Sequence, residues 1–173
     1  GELGFHHALD SPVREDGQVT LPGPLPRDPR PHRRVRNSVR AGLVWSVVAS
    51  GINLAIWLFS SAIGIDFLVW PQGASEPPAG VGPLAIVGAS LVAGLFGGIV
   101  TGVFARVVKH AVRWVIIGGA ILTATSLFGP WEQPAEVFTS TRVALTLMHL
   151  VTGGLVTFGL ARGIWSDDRA VLT

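Results

Sequence analysis

Four stretches of this chain hold no charged residue: 41–65, 77–105, 114–131 and 143–161, of 25, 29, 18 and 19 residues. Together they take 91 of the 173 residues, so all 24 Lys, Arg, Asp and Glu crowd into the other 82. The hydrocarbon of a bilayer is about 30 Å thick, and a helix rising 1.5 Å per residue needs roughly 20 apolar residues to cross it. Runs of this length predict an all-α integral membrane bundle of four transmembrane helices. The expected spans are 41–63, 83–105, 112–129 and 141–161, within a membrane domain of 41–162. Pro83 suits the first turn of its helix, where a missing N–H costs nothing. Gly129 and Pro130 read as a helix stop.

The rest of the composition narrows the function classes. Charged residues are 14% of the chain, against about 25% in soluble domains, which argues against an ordinary soluble enzyme. There is no cysteine, so disulfides, thiolate nucleophiles and cysteine-ligated metals are excluded. No GxxxxGK[ST], HExxH, GxSxG or GxGxxG occurs in the chain, and the expectation is a protein that is not an enzyme. The net charge is only +2, and the arginines lie beside the apolar runs, so no nucleic-acid partner is expected.

Residues 1–40 are polar, with seven Arg, five acids and six of the twelve prolines. Such a segment cannot bury enough apolar surface to fold alone. It is expected to be a disordered cytoplasmic tail, either a solvated linker or a segment that binds a partner. It holds no apolar core of a secretory signal, so the first apolar run is expected to stay as a span. Residues 163–173 form a short C-terminal tail.

Loop charges set the expected orientation. Residues 30–40 carry five Arg and no acid, and the second connection carries Arg106, Lys109 and Arg113. The first connection has only Asp66 and Glu76, and the third has Glu132 and Glu136 with Arg142 at its edge. Basic loops stay in the cytoplasm, so both termini are expected there. Trp45, Trp70, Trp114, Trp131 and Trp165 fall near span ends, where indoles prefer to lie; Trp57 does not. Arg33, Arg34, Arg36 and Arg40 are placed to meet anionic lipid headgroups, or serve only as a topology signal.

Helices in lipid associate through small residues and hydrogen bonds. In the second span Ser90, Gly94, Gly98 and Gly102 recur every four residues. They form one smooth face, either for packing inside the chain or for a homo-oligomer. In the first span Ser46, Ser50, Asn53 and Trp57 share a helical face. Asn53 lies deep in hydrocarbon, where an unsatisfied amide is costly, and must face the bundle. In the fourth span Arg142, Thr146, His149 and Gly153 share a face. His149 alone among the histidines lies inside an expected span. It can shuttle a proton, or bond as a neutral ring to Asn53, Ser126 or a backbone carbonyl. No second histidine lies at its depth, which argues against haem; no cofactor or metal site is expected.

Two segments carry a resemblance. Ser126-Leu-Phe-Gly-Pro130 closes the third span, and Arg142-Val-Ala-Leu-Thr-Leu-Met-His149 opens the fourth. The chain resembles, over roughly 36–162, a family of small four-helix membrane proteins of actinobacteria known only as a domain of unknown function. Its members have a serine-leucine-x-glycine-proline turn and then a helix centred on methionine-histidine. That pattern falls here on Ser126, Leu127, Gly129, Pro130, Met148 and His149. The resemblance implies a multi-pass protein of the bacterial cytoplasmic membrane and a shared role for Met148 and His149; it implies no activity, substrate or cofactor. The expected role is a non-enzymatic accessory or scaffolding subunit with a membrane-protein partner or a second copy. The alternative is a small oligomeric transporter or channel-like protein with a polar path around His149 and Asn53, lined also by Arg142.

Overall fold

The computed structural model describes residues 30–70 and 77–169, with side chains described over 34–70 and 77–165. Its elements in chain order are α1 (Arg30–Ala62), β1 (Leu68–Val69), β2 (Ala79–Gly80), α2 (Pro83–Phe104), α3 (Ala111–Ser126), α4 (Phe128–Trp131) and α5 (Thr139–Arg169). The architecture is helical. The two strands are a two-residue antiparallel ladder, with Leu68 opposite Gly80 and Val69 opposite Ala79, that ties off the first connection.

Three boundaries differ from the expectation. The polar tail was expected to run to residue 40, yet α1 begins at Arg30. Pro31 stands in its first turn, where proline is tolerated, and in the following turns Val35 and Val39 lie against glycines of α2. The rest of the expected tail, 1–29, lies outside the described residues. At the other end α5 runs on to Arg169, past the expected limit at 161. Third, Gly129 and Pro130 do not end the helical path. α3 stops at Ser126, Leu127 keeps a right-handed helical backbone, and a single further turn carries the chain through Pro130 to Trp131. Pro130 sits early in that turn, so its lost N–H breaks no bond.

Close approaches at the glycines give the packing order. Val35, Val39 and Ser46 of α1 lie against Gly102, Gly98 and Gly94 of α2. Trp45 lies on Gly159 and Ala41 beside Gly163 of α5. Thr123 of α3 lies on Gly153, and Thr157 of α5 lies on Gly119. In each pair one numbering rises as the other falls, so the helices are antiparallel in the order α2, α1, α5, α3. The start of α1 and the end of α5 therefore share one end of the bundle, together with the reversal between α2 and α3. That reversal turns at His110, whose φ of 59° is left-handed. We call this the basic end and the opposite one, with Asp66, Glu132 and Glu136, the acidic end. The row Ser90, Gly94, Gly98, Gly102 is buried and faces α1 of the same chain.

The distribution of polarity is the reverse of a water-soluble domain. Ser38, Ser46, Ser50, Asn53, Ser60, Ser90, Thr101 and Thr141 are buried, while Val47, Leu58, Phe59, Val92, Phe96 and Leu122 are exposed. Small residues let backbones approach, and large apolar ones face outward, as packing in hydrocarbon requires. Where α1 and α5 cross, Trp45 and Phe158 meet edge to face, with ring centroids 5.2 Å apart.

Candidate functional site

The polar side chains expected inside the spans fall into two groups, one at mid-bundle and one at the acidic end. The first is built on Asn53, which is 2% exposed. Its Nδ2 donates to Thr152 Oγ1 of α5 at 2.7 Å and to Ser90 Oγ of α2 at 3.4 Å. Ser90 in turn donates to the Ile86 carbonyl at 3.0 Å. Its proton is thus committed, and its lone pair requires the nitrogen side of the amide. One asparagine so joins three helices. Asn53 Oδ1 is buried and has no hydrogen-bond partner among the described residues.

His149 stands one turn before Thr152 on the same face of α5. Its Nδ1 lies 2.7 Å from the Leu145 carbonyl oxygen. A carbonyl only accepts, so Nδ1 carries a proton; in the neutral ring Nε2 is then an acceptor. Ser126 does not bond to His149. Its Oγ donates to the Thr123 carbonyl at 2.7 Å, and Thr123 donates to the Gly119 carbonyl at 2.7 Å. Met148 is buried in a small core with Phe67, Ile86 and Ala144.

Asn53, Ser90, Ser126, Met148, His149 and Thr152 all border one cleft of about 660 Å³ between α2, α3 and α5. It exists because α3 packs on α5 and scarcely on α2, and the two helices diverge from their shared reversal. The walls are apolar, and polar groups concentrate toward the acidic half. At helical rise His149 lies about 15 Å along α5 from its start, and Ser90 about 10 Å along α2.

The second group lies apart from the cleft, and it corrects the expectation that Arg142 lines a path with His149 and Asn53. Arg142 Nη2 donates to the carbonyls of Gln133 at 3.0 Å and Pro134 at 2.7 Å. Arginine stands at the start of α5, within reach of the third connection, whose carbonyls are turned inward. Gln133 pairs with the Trp70 backbone as a strand would, accepting from its N–H at 2.9 Å. Thr141 Oγ1 donates to the Asp66 carbonyl at 2.7 Å. Thr146, expected among the deep polar residues, accepts from Trp131 Nε1 at 3.1 Å. These bonds clasp the two acidic-end connections onto α5. Trp57, the tryptophan that fitted no boundary, donates from Nε1 to the Val81 carbonyl at 3.0 Å. It belongs to the same edge.

At the basic end Arg36 and Arg40 are exposed. Arg34 is not free for a headgroup: its Nη1 donates to the carbonyl of Ala105, which closes α2, at 3.1 Å. A cation suits that negative end of the helix dipole. The Arg33 side chain lies outside the described residues. Among the described residues no group of three or more His, Asp or Glu is placed to hold a metal ion.

Sequence reasoning missed Thr152, although its position three residues after His149 put it on the same face. It missed Gln133 and the cleft as well, and no sequence signal marks either.

Four helices of 29, 22, 21 and 27 residues, with mean hydropathy of 1.6 to 2.1, are long and apolar enough to cross a membrane. With small polar residues inside and large apolar ones outside, they suggest a multi-pass membrane protein. The chain belongs to the family of unknown function DUF6069, whose pattern matches residues 33–165. No curated protein and no solved structure matches it.

Proposed function

We propose that the protein is a non-enzymatic accessory or scaffolding subunit of a bacterial cytoplasmic membrane, with its basic end in the cytoplasm. The observation that carries this reading is the use made of its polar side chains. Asn53, Thr146 and Arg142 each bond within the chain so as to hold helices together or fasten connections, and Ser126 bonds back onto its own helix. Arg142 stands in the acidic-end clasp, away from Asn53 and His149. The orientation follows from the arginines at the basic end. The bacterial setting follows from the family resemblance.

A second reading, a small transporter working as an oligomer, is favoured by one observation: Asn53 and His149 border the same cleft. Proteoliposomes loaded with a pH-sensitive dye separate the two. The accessory reading expects no proton flux above protein-free vesicles, and a partner that co-purifies with the full chain and is lost when residues 1–29 are removed. Flux that His149→Ala abolishes would establish the transporter reading instead. A partner set unchanged by the deletion would remove the scaffolding role of the tail.

A further inference from the structure

We propose that the cleft between α2 and α3 is a binding site for a single-chain hydrophobic molecule bearing a hydroxyl group. The hydroxyl lies at the polar floor, where it donates to His149 Nε2. The inference goes beyond the accessory role and does not depend on it.

Three observations converge. The first is size: about 660 Å³ falls in the range of small-molecule sites, roughly 300–1,000 Å³. The second is the walls. Phe96, Val100 and Phe104 from α2 face Trp114 and Leu122 from α3, with Leu160 of α5 behind them. From Ser90 to Phe104 the wall runs about 21 Å at helical rise, which accommodates an extended chain rather than a compact solute. The third is the floor, which presents an open acceptor beside an open donor. The protons of Ser90, Thr123 and Ser126 are committed to backbone carbonyls. Asn53 Oδ1 is buried behind the floor, out of reach of a molecule in the cleft. Nε2 of His149 makes no hydrogen bond among the described residues, and with the single ring proton on Nδ1 toward Leu145 it is an acceptor. Thr152 accepts from Asn53 and retains its own proton.

That set selects the headgroup. An acceptor facing apolar walls and left unpaired is costly, and a donor that reaches it removes the cost. A hydroxyl both donates, to His149, and accepts, from Thr152. An ether could only accept, and an alkane does neither. A helix of another protein is a poorer occupant. Its backbone N–H groups are already used within the helix, so only an occasional side chain could answer the acceptor.

The test uses the purified full chain in lipid nanodiscs and two photoactivatable probes, a diazirine-bearing sixteen-carbon alcohol and its methyl ether. The alcohol is expected to label α2 and α3 peptides that wall the cleft, saturably, and to be displaced by unlabelled hexadecanol. The ether is expected to label on the order of tenfold less, the loss of about one hydrogen bond. The variant His149→Phe should bring the alcohol down to the level of the ether. Because that variant also enlarges the side chain at the floor, Ala93→Phe is the independent control. Ala93 is exposed on the wall, and a ring there should block both probes with the floor intact. Equal labelling by alcohol and ether would overturn the proposal, as would alcohol labelling that Ala93→Phe leaves unchanged. A co-purified protein whose helix cross-links along both α2 and α3 would overturn it too, in favour of a protein occupant.

Discussion

Gly98→Leu is expected to unfold the α1–α2 pair at a temperature many degrees below the native protein. A Cβ at residue 98 would come within 2.7 Å of Val39 Cα and 2.9 Å of the Ser38 carbonyl oxygen. Both are backbone atoms, so no rotamer change can make room, and the helices must separate. Overpacking of a close interface costs typically 1–3 kcal/mol; with backbone on both sides we expect about 3 kcal/mol. Separation also withdraws Ser90 from Asn53 on the same pair of helices. Gly88→Leu is the matched control on α2, since a Cβ there meets nothing within 4 Å, and it should leave stability nearly unchanged. Thermal unfolding in detergent, followed by size exclusion, reads both. If Gly98→Leu dissociated an oligomer while leaving the fold of each chain as stable as before, the row would be an inter-chain seam and the packing described here would be wrong.

The second large effect lies between α3 and α5. The hydroxyl, methyl and Cβ of Thr123 all stand where a Cβ on Gly153 would go, and Thr157 does the same over Gly119. Threonine is branched at Cβ and stiff at χ1, so it cannot swing away. Gly153→Ala is therefore expected to cost about 1–3 kcal/mol. The loss is concentrated on α3, which has no other long helix to hold it. Because the obstruction is a side chain, it can be relieved. The double variant with Thr123→Gly should recover much of the loss, a non-additivity that a double-mutant cycle measures directly. Additive losses would mean that Thr123 and Gly153 are not in contact.

Much of this fold is legible in the sequence because hydrocarbon allows so few solutions. Charge-free runs of about 20 residues must be helices, since only a helix satisfies every backbone group within itself. The beginning of α2 at Pro83 follows from its composition for the same reason. The boundaries that escape are those where composition and packing disagree. Arg30 to Arg40 reads as a polar tail, yet every fourth position, Val35 and Val39, gives the helix apolar contact with the glycines of α2. Which helix the glycine row faces was not legible, because a smooth face suits a neighbour in the same chain or in another.

The site was legible by residue more than by arrangement. An asparagine and a lone histidine inside apolar spans announce themselves by the cost of leaving them unpaired. Their partners do not. Thr152 is one threonine among several, and His149 closes onto its own helix rather than onto Asn53. Arg142 shares a helical face with His149 in sequence, but an arginine at a helix start can reach backward, and the carbonyls of Gln133 and Pro134 were within its reach. The cleft depends on α3 leaning away from α2, a property of the reversal at His110 and of the threonine-on-glycine contacts with α5 that no periodicity encodes.

The chain has no cysteine, so single cysteines can be placed at will and labelled from one side of sealed vesicles with a membrane-impermeant maleimide. Arg36→Cys and Arg162→Cys are exposed positions at the basic end, and Ala135→Cys is exposed at the acidic end. Four crossings predict that residues 36 and 162 label from the same side and 135 from the opposite one. Labelling of 36 and 162 from opposite sides, or of all three from one side, would contradict the account.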